Sequence, residues 1–150
     1  MDKIKQFTGK NSFLSNFHPN PIHYQGIDYP SLEHAFQAAK TDDAETRWKI
    51  AEKDTPGKAK RAGGRRGILK DFDQAAWEAK KDAVMETLVR LKFQNPELAA
   101  QLLGTGDAQL EEGNIWNDTY WGVSLKTGKG RNKLGEILMR VRSELAAKGI

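Results

Sequence analysis

The chain of 150 residues suffices for one domain that buries roughly two-thirds of its unfolded surface, so a single domain over 1–150 is expected. It has no cysteine, which excludes disulfides, thiolate metal sites and a cysteine nucleophile. Lysine and arginine outnumber aspartate and glutamate by 24 to 20, a mild basic excess that suits an anionic ligand such as a nucleotide phosphate but does not by itself argue for nucleic acid.

No apolar run near the start resembles a signal peptide and no segment approaches the length of a membrane span, so a cytoplasmic protein with no membrane partner is expected. Lys3 to Phe7 reads as a short strand, broken at Gly9-Lys10-Asn11-Ser12. Phe13-Leu14-Ser15-Asn16-Phe17 follows, with Pro19 and Pro21 barring a long helix. Ile22, Tyr24, Ile27 and Tyr29 flank Gln25-Gly26 as a hairpin. Tyr29-Pro30-Ser31 then runs from a strand end into a helix: Pro30 forces an extended approach and Ser31 is placed to cap. On this helix Leu32, Ala35, Phe36 and Ala39 make an apolar face. Glu33, Gln37 and Lys40 form a polar row that, taken alone, reads as a solvated helix face; the helix N-terminus favours an ionised Glu33.

Asp42 or Asp43 caps a short helix carrying Trp48, Ile50 and Ala51. Thr55-Pro56 opens another, stopped by Gly63-Gly64. Asp73 caps a long helix to about Phe93, with Trp77, Val84, Leu88 and Leu91 on one face. Asn95-Pro96 starts a helix that buries Leu98, Leu102 and Leu103 and ends at Gly104. Gly106 to Val123 reads as turn and short strand, and Leu134, Ile137, Leu138, Val141 and Leu145 mark a final amphipathic helix. The sum is an α+β, mostly helical domain with a small β-sheet.

Several chemistries fail on spacing. Gly122 to Lys133 departs from the Walker phosphate loop, and His18, His23 and His34 lack the helical pairing of zinc proteases, so no metal is expected. No serine sits in a Gly-x-Ser-x-Gly elbow. Carboxylates among aromatics remain. Asp118 lies in Trp116-Asn117-Asp118-Thr119-Tyr120-Trp121-Gly122, which reads either as a turn aspartate or, if the rings exclude water, as an acid whose proton is held more tightly. Two carboxyls in contrasting environments are a common acid/base arrangement. Lys58, Lys60, Arg61, Arg65, Arg66 and Lys70, interleaved with Gly63, Gly64 and Gly67, form either a solvated basic loop or a phosphate cradle. Trp77 reads as core or as a ring on which a base stacks.

Taken together, Phe13 to Phe17, Tyr29 to Lys40, Trp77 to Met85, Leu91-Lys92-Phe93, Leu102 to Gly106, Asn117 to Gly122 and Asn132 to Met139 resemble the YbiA-like or NADAR family of N-glycosidases, in order and over nearly the whole chain. The resemblance implies the YbiA-like fold, hydrolysis of a C–N bond to ribose, and no cofactor. It points to two substrate classes: an ADP-ribosyl group on a nucleobase such as guanine, or ribosylaminopyrimidine phosphates of riboflavin biosynthesis. Position by position it puts catalytic roles on Glu33, Asp118 and Trp77. Substrate contacts are expected from Phe13, Ser15, Asn16, Phe17, His34, Gln37, Lys40, Arg65, Arg66, Trp116, Trp121 and Gly122. DNA or RNA would enter as carrier of the modified base. Gly63-Gly64-Arg65-Arg66-Gly67, richer in glycine, and the spacing added by Phe72-Asp73-Gln74 depart from the family pattern. A rival of another class is a non-catalytic module that binds ADP-ribose or nucleic acid.

Overall fold

The computed structural model describes residues 2–149. In chain order the elements are β1 (Lys3–Ile4), a 3-10 helix (Gly9–Leu14), β2 (Pro19–Tyr24), β3 (Ile27–Ser31), α1 (Leu32–Ala38), α2 (Ala44–Ala51), α3 (Pro56–Ala62), α4 (Gln74–Lys92), α5 (Pro96–Gly104), β4 (Gln109–Leu110), β5 (Gly113–Asn114), β6 (Val123–Ser124) and α6 (Lys133–Ala147). They fall into two compact units, a middle one of Asn16–Lys92 and a terminal one built from the chain up to Ser15 and from Phe93 onward. Among the described residues no helix is long and apolar enough to cross a membrane.

The fold is α+β and mostly helical, but the strands pair as three separate ladders instead of one sheet. β1 runs parallel to β4, β2 antiparallel to β3, and β5 parallel to β6. Pro19 and Pro21 explain part of this, because a proline in β2 has no N–H to offer a further strand.

In the middle unit, Gln25 and Gly26 both take positive φ, 50° and 86°, which matches the two-residue turn that follows strand twist. The register Ile22↔Tyr29 and Tyr24↔Ile27 buries Ile22, Ile27 and Tyr29 on one face, and an irregularity before Pro19↔Ser31 closes the ladder. Ser31 thus ends β3 and caps α1, its hydroxyl accepting from the His34 N–H at 3.3 Å. Such a cap contributes about 1 kcal/mol. Helix α1 packs against β2, β3, α2, α3 and α4, and all seven of its residues are buried.

Two further caps match expectation: Asp43 accepts from the Thr46 N–H at 3.0 Å, and Thr55 from that of Lys58 at 3.1 Å. Trp48 faces solvent, however, and the buried face of α4 runs through Trp77, Met85, Leu88, Val89 and Lys92, with Val84 and Leu91 only half-buried. In the terminal unit, α6 buries all five expected apolar residues and α5 buries Leu98 and Leu102, while Leu103 is half-exposed.

Candidate active site

The polar row of α1 is enclosed. Glu33 is 6% exposed and Gln37 4%, and Gln37 Nε2 donates to Glu33 Oε2 at 2.5 Å. The Glu33 N–H donates to the Asn16 carbonyl at 3.1 Å, which ties the start of α1 to the segment before β2. Lys40 follows α1 and is half-buried. Its Nζ donates to the Gly63 carbonyl at 3.1 Å and lies 5.8 Å from the Trp77 ring centroid and 5.9 Å from that of Phe72. These are cation–π distances. Burial holds the Lys40 ammonium below the usual lysine range, Glu33 opposes that shift, and Lys60 and Lys81 reinforce it. Trp77 is 5% exposed, its ring edge-on to Phe36 with centroids 5.0 Å apart.

Burying a charged side chain costs several kcal/mol even after relaxation, so alanine or leucine in this row would stabilise α1 better. The row is therefore a feature the fold supports at a cost, as catalytic and binding sites are.

Gly63 was not distinguished from its neighbours by the sequence, yet it fixes Gln37. A Cβ on it would lie 2.2 Å from Gln37 Oε1 and 2.9 Å from Gln37 Cβ, so only glycine lets the amide sit where it reaches Glu33. Gln37 Oε1 is buried without a hydrogen-bond donor, as is Asn16 Oδ1. The Gly63 turn thus seats two of the polar groups, Gln37 through its bare Cα and Lys40 through its carbonyl.

His34, expected to touch substrate, has both ring nitrogens engaged by the protein. Nδ1 is 2.7 Å from the Ser31 hydroxyl and Nε2 is 2.9 Å from the Lys53 carbonyl. Because a carbonyl can only accept, Nε2 carries the proton and Nδ1 accepts from Ser31. Burial keeps the imidazole below its ordinary value, with the bond to Lys53 opposing, which favours the neutral ring. His34 therefore links the start of α1 to the chain after α2. Of the other expected contacts in this unit, Phe17, Arg65 and Arg66 are exposed and Asn16 is half-buried, its Nδ2 donating to the Met85 sulfur at 3.7 Å.

Asp118 belongs to the terminal unit. Its Oδ1 accepts from the Tyr120 N–H at 3.1 Å and the Trp121 N–H at 2.9 Å, as a turn aspartate does. Asn114 holds the same loop, accepting from the Asp118 N–H and donating to the Asp118 carbonyl, both at 2.9 Å. Asn117 adopts φ 65° there. The rings do not seal the carboxylate from water: Trp116 is 62% exposed and Trp121 half-buried, stacked edge-on to Tyr120 at 4.9 Å. Gly122 is buried where a Cβ would strike Glu112 and Asn114, so it lets β6 approach β5. Phe13 is in the core and Ser15 is half-buried. Asn114 and Glu112 carry no periodicity or motif that would have singled them out. Among the described residues no group of three or more His, Cys, Asp or Glu is arranged to hold a metal ion.

The NADAR domain model matches residues 4–146. N-glycosidase YbiA of Escherichia coli is 42% identical over 136 residues, covering 89% of this chain and 81% of that protein. A riboflavin biosynthesis protein of Vibrio vulnificus is 40% identical over 136 residues, which is 90% of this chain but only 36% of that longer protein. The solution NMR structure of E. coli YbiA superimposes with a TM-score of 0.80 at 38% identity, over 99% of this chain and 88% of that one. A family match across both units, joined to a relative of this identity covered over four-fifths of its length, means that the chain belongs to the NADAR family.

Proposed function

We propose that the chain, a hydrolase of N-glycosyl bonds like its named relatives, cleaves the C–N bond between a base and a ribose that carries phosphate. The observation that carries this reading is the enclosed Glu33 carboxylate, oriented by Gln37 and close enough to Lys40 to act on its charge, while the Lys40 ammonium lies over the Trp77 ring. Leaving of a base from ribose passes through an oxocarbenium-like state, which asks for negative charge near the anomeric carbon and a base to activate water. Glu33 is assigned both. It is oriented by the Gln37 amide, and preorganisation of this kind lowers the reorganisation needed at the moment of reaction. To Asp118 we assign delivery of a proton to the departing base, and to Trp77 the aromatic wall of the sugar site.

Within this class the substrate is taken to be an ADP-ribosyl group on a nucleobase, ADP-ribosylated guanine in particular, free or carried on DNA or RNA. The arginine- and glycine-rich turn after α3 supports it, since paired guanidinium forks suit a diphosphate. A second reading, a ribosylaminopyrimidine phosphate of riboflavin biosynthesis, is favoured by the name of the Vibrio relative. Incubation with each substrate separates the two: release of ADP-ribose supports the first, and release of ribose 5-phosphate alone replaces it with the second. Binding of ADP-ribose without turnover of either would make the chain a binding module.

A further inference from the structure

The turn that follows α3 closes on itself. The Ile68 N–H donates to the Ala62 carbonyl at 2.8 Å and that of Gly67 to Gly64 at 3.0 Å. A Cβ on Gly67 would stand 1.9 Å from the Ala62 carbonyl oxygen, so glycine is required for the closure. Beside this turn lies a cleft of about 290 Å³ walled by Lys53, Lys58, Arg61, Arg66, Gly67 and Ile68. Four of those residues are cations and none is an anion.

What those cations do elsewhere in the molecule sets the cleft apart. Lys3, Arg47, Lys49, Lys81 and Arg90 each pair with a carboxylate. In the cleft only Lys58 does, reaching Asp54 at 3.3 Å. Among the described residues Lys53, Arg61 and Arg66 make no ion pair. Among the described residues the backbone N–H of Arg66 likewise donates to no backbone acceptor. Like charges gathered in a concave wall repel one another and raise the local potential, a state that an entering anion relieves. Guanidinium forks with free backbone N–H groups are the donor set that phosphoryl oxygens take.

We propose that this cleft is a phosphate seat, with Arg61 and Arg66 as its forks and Lys53 and Lys58 as its supporting charges, and that it holds the phosphate-bearing end of the substrate. The second half of this assignment rests on the N-glycosidase reading above. Its link to the site is Gly63, adjacent in sequence to Ala62, which seats Gln37 and accepts from Lys40. Arg65, which the sequence pairs with Arg66, does not line the cleft.

The test is calorimetric titration of the full chain with inorganic pyrophosphate, alongside steady-state kinetics on the phosphorylated N-glycoside that it turns over. The doubly neutralised Arg61→Gln/Arg66→Gln variant is compared with wild type and with Lys49→Gln/Lys126→Gln, which removes two exposed charges elsewhere. Pyrophosphate affinity is expected to fall at least tenfold in the arginine variant only, with KM rising by a similar factor and kcat changing less than threefold. No binding to wild type, equal affinity in the arginine variant, or an unchanged KM would overturn the seat. Turnover with unchanged pyrophosphate affinity removes the seat and leaves the N-glycosidase reading standing. Arginine-dependent pyrophosphate binding with no N-glycoside cleaved does the reverse.

Discussion

Glu33 and Asp118 both lie within a few residues of aromatic side chains, yet the two units treat them in opposite ways. In the middle unit the Glu33 carboxylate is buried and accepts from Gln37, and it acts on the charge of Lys40, whose ammonium lies over the Trp77 ring. In the terminal unit the Asp118 carboxylate faces the backbone of its own turn, and the tryptophan nearest before it in sequence stands in solvent. The difference shows that a carboxylate near aromatic residues in sequence says little by itself; what matters is which groups it must satisfy. Glu33 has its helix N–H groups capped by Ser31 and Asn16 and so is left to be aimed by Gln37. Asp118 is the cap of its own turn.

Substitutions at the supporting positions can break or sharpen that contrast. Trp77→Ala removes a buried ring from the core of the middle unit and is expected to cost about 3–5 kcal/mol of stability, read by chemical denaturation. Asp118→Asn keeps an oxygen to accept from Tyr120 and Trp121, so the turn and the melting temperature should be preserved. A fall in kcat of about 10²-fold in this variant would mark a proton donor, whereas an unchanged kcat would reduce Asp118 to its turn. Gly63→Ala drives a Cβ into Gln37, and loss of Glu33 aim is expected to lower kcat by about tenfold, within the range that small misplacements cause. Recovery in Gly63→Ala/Gln37→Ala of stability but not of activity would show that the amide orients Glu33.

A separate test concerns Lys92, fully buried at the end of α4, where burial pulls the ammonium from 10.5 to about 7. The unfolded chain then holds more protons than the folded one between those values, so this residue makes stability rise with pH across that window. Lys92→Met should remove that rise in a series of melts from pH 7 to 10. A slope equal to wild type would show that Lys92 stays charged when folded.

Much of the fold was legible. The hairpin followed from Gln25-Gly26, the start of α1 from Pro30 and Ser31, and α6 from its apolar spacing, because each rests on contacts local to a few residues. The division of the strands into three two-stranded ladders was not legible, since strand pairing depends on partners far apart in sequence, such as Lys3 with Gln109. The site was legible in residue type but not in environment. The spacing of Glu33, Gln37 and Lys40 reads as a solvated face, and only the packing of α1 on every side encloses it. Trp48 and Trp116 show the converse, large rings that hydrophobicity places inside and that the fold leaves exposed. Gly63 and Gly67 looked alike, and their separate duties depend on what a missing side chain makes room for.

Glu33 is tested most directly by the turnover of Glu33→Gln on the N-glycoside that wild type cleaves, measured with the melting temperature. Gln preserves the shape and an acceptor for Gln37 while removing the buried charge. A kcat lower by about 10²- to 10⁴-fold is expected, with a melting temperature equal to or above that of wild type. Retention of more than about a tenth of the wild-type rate, well short of what an acid/base group contributes, would contradict the role assigned to Glu33.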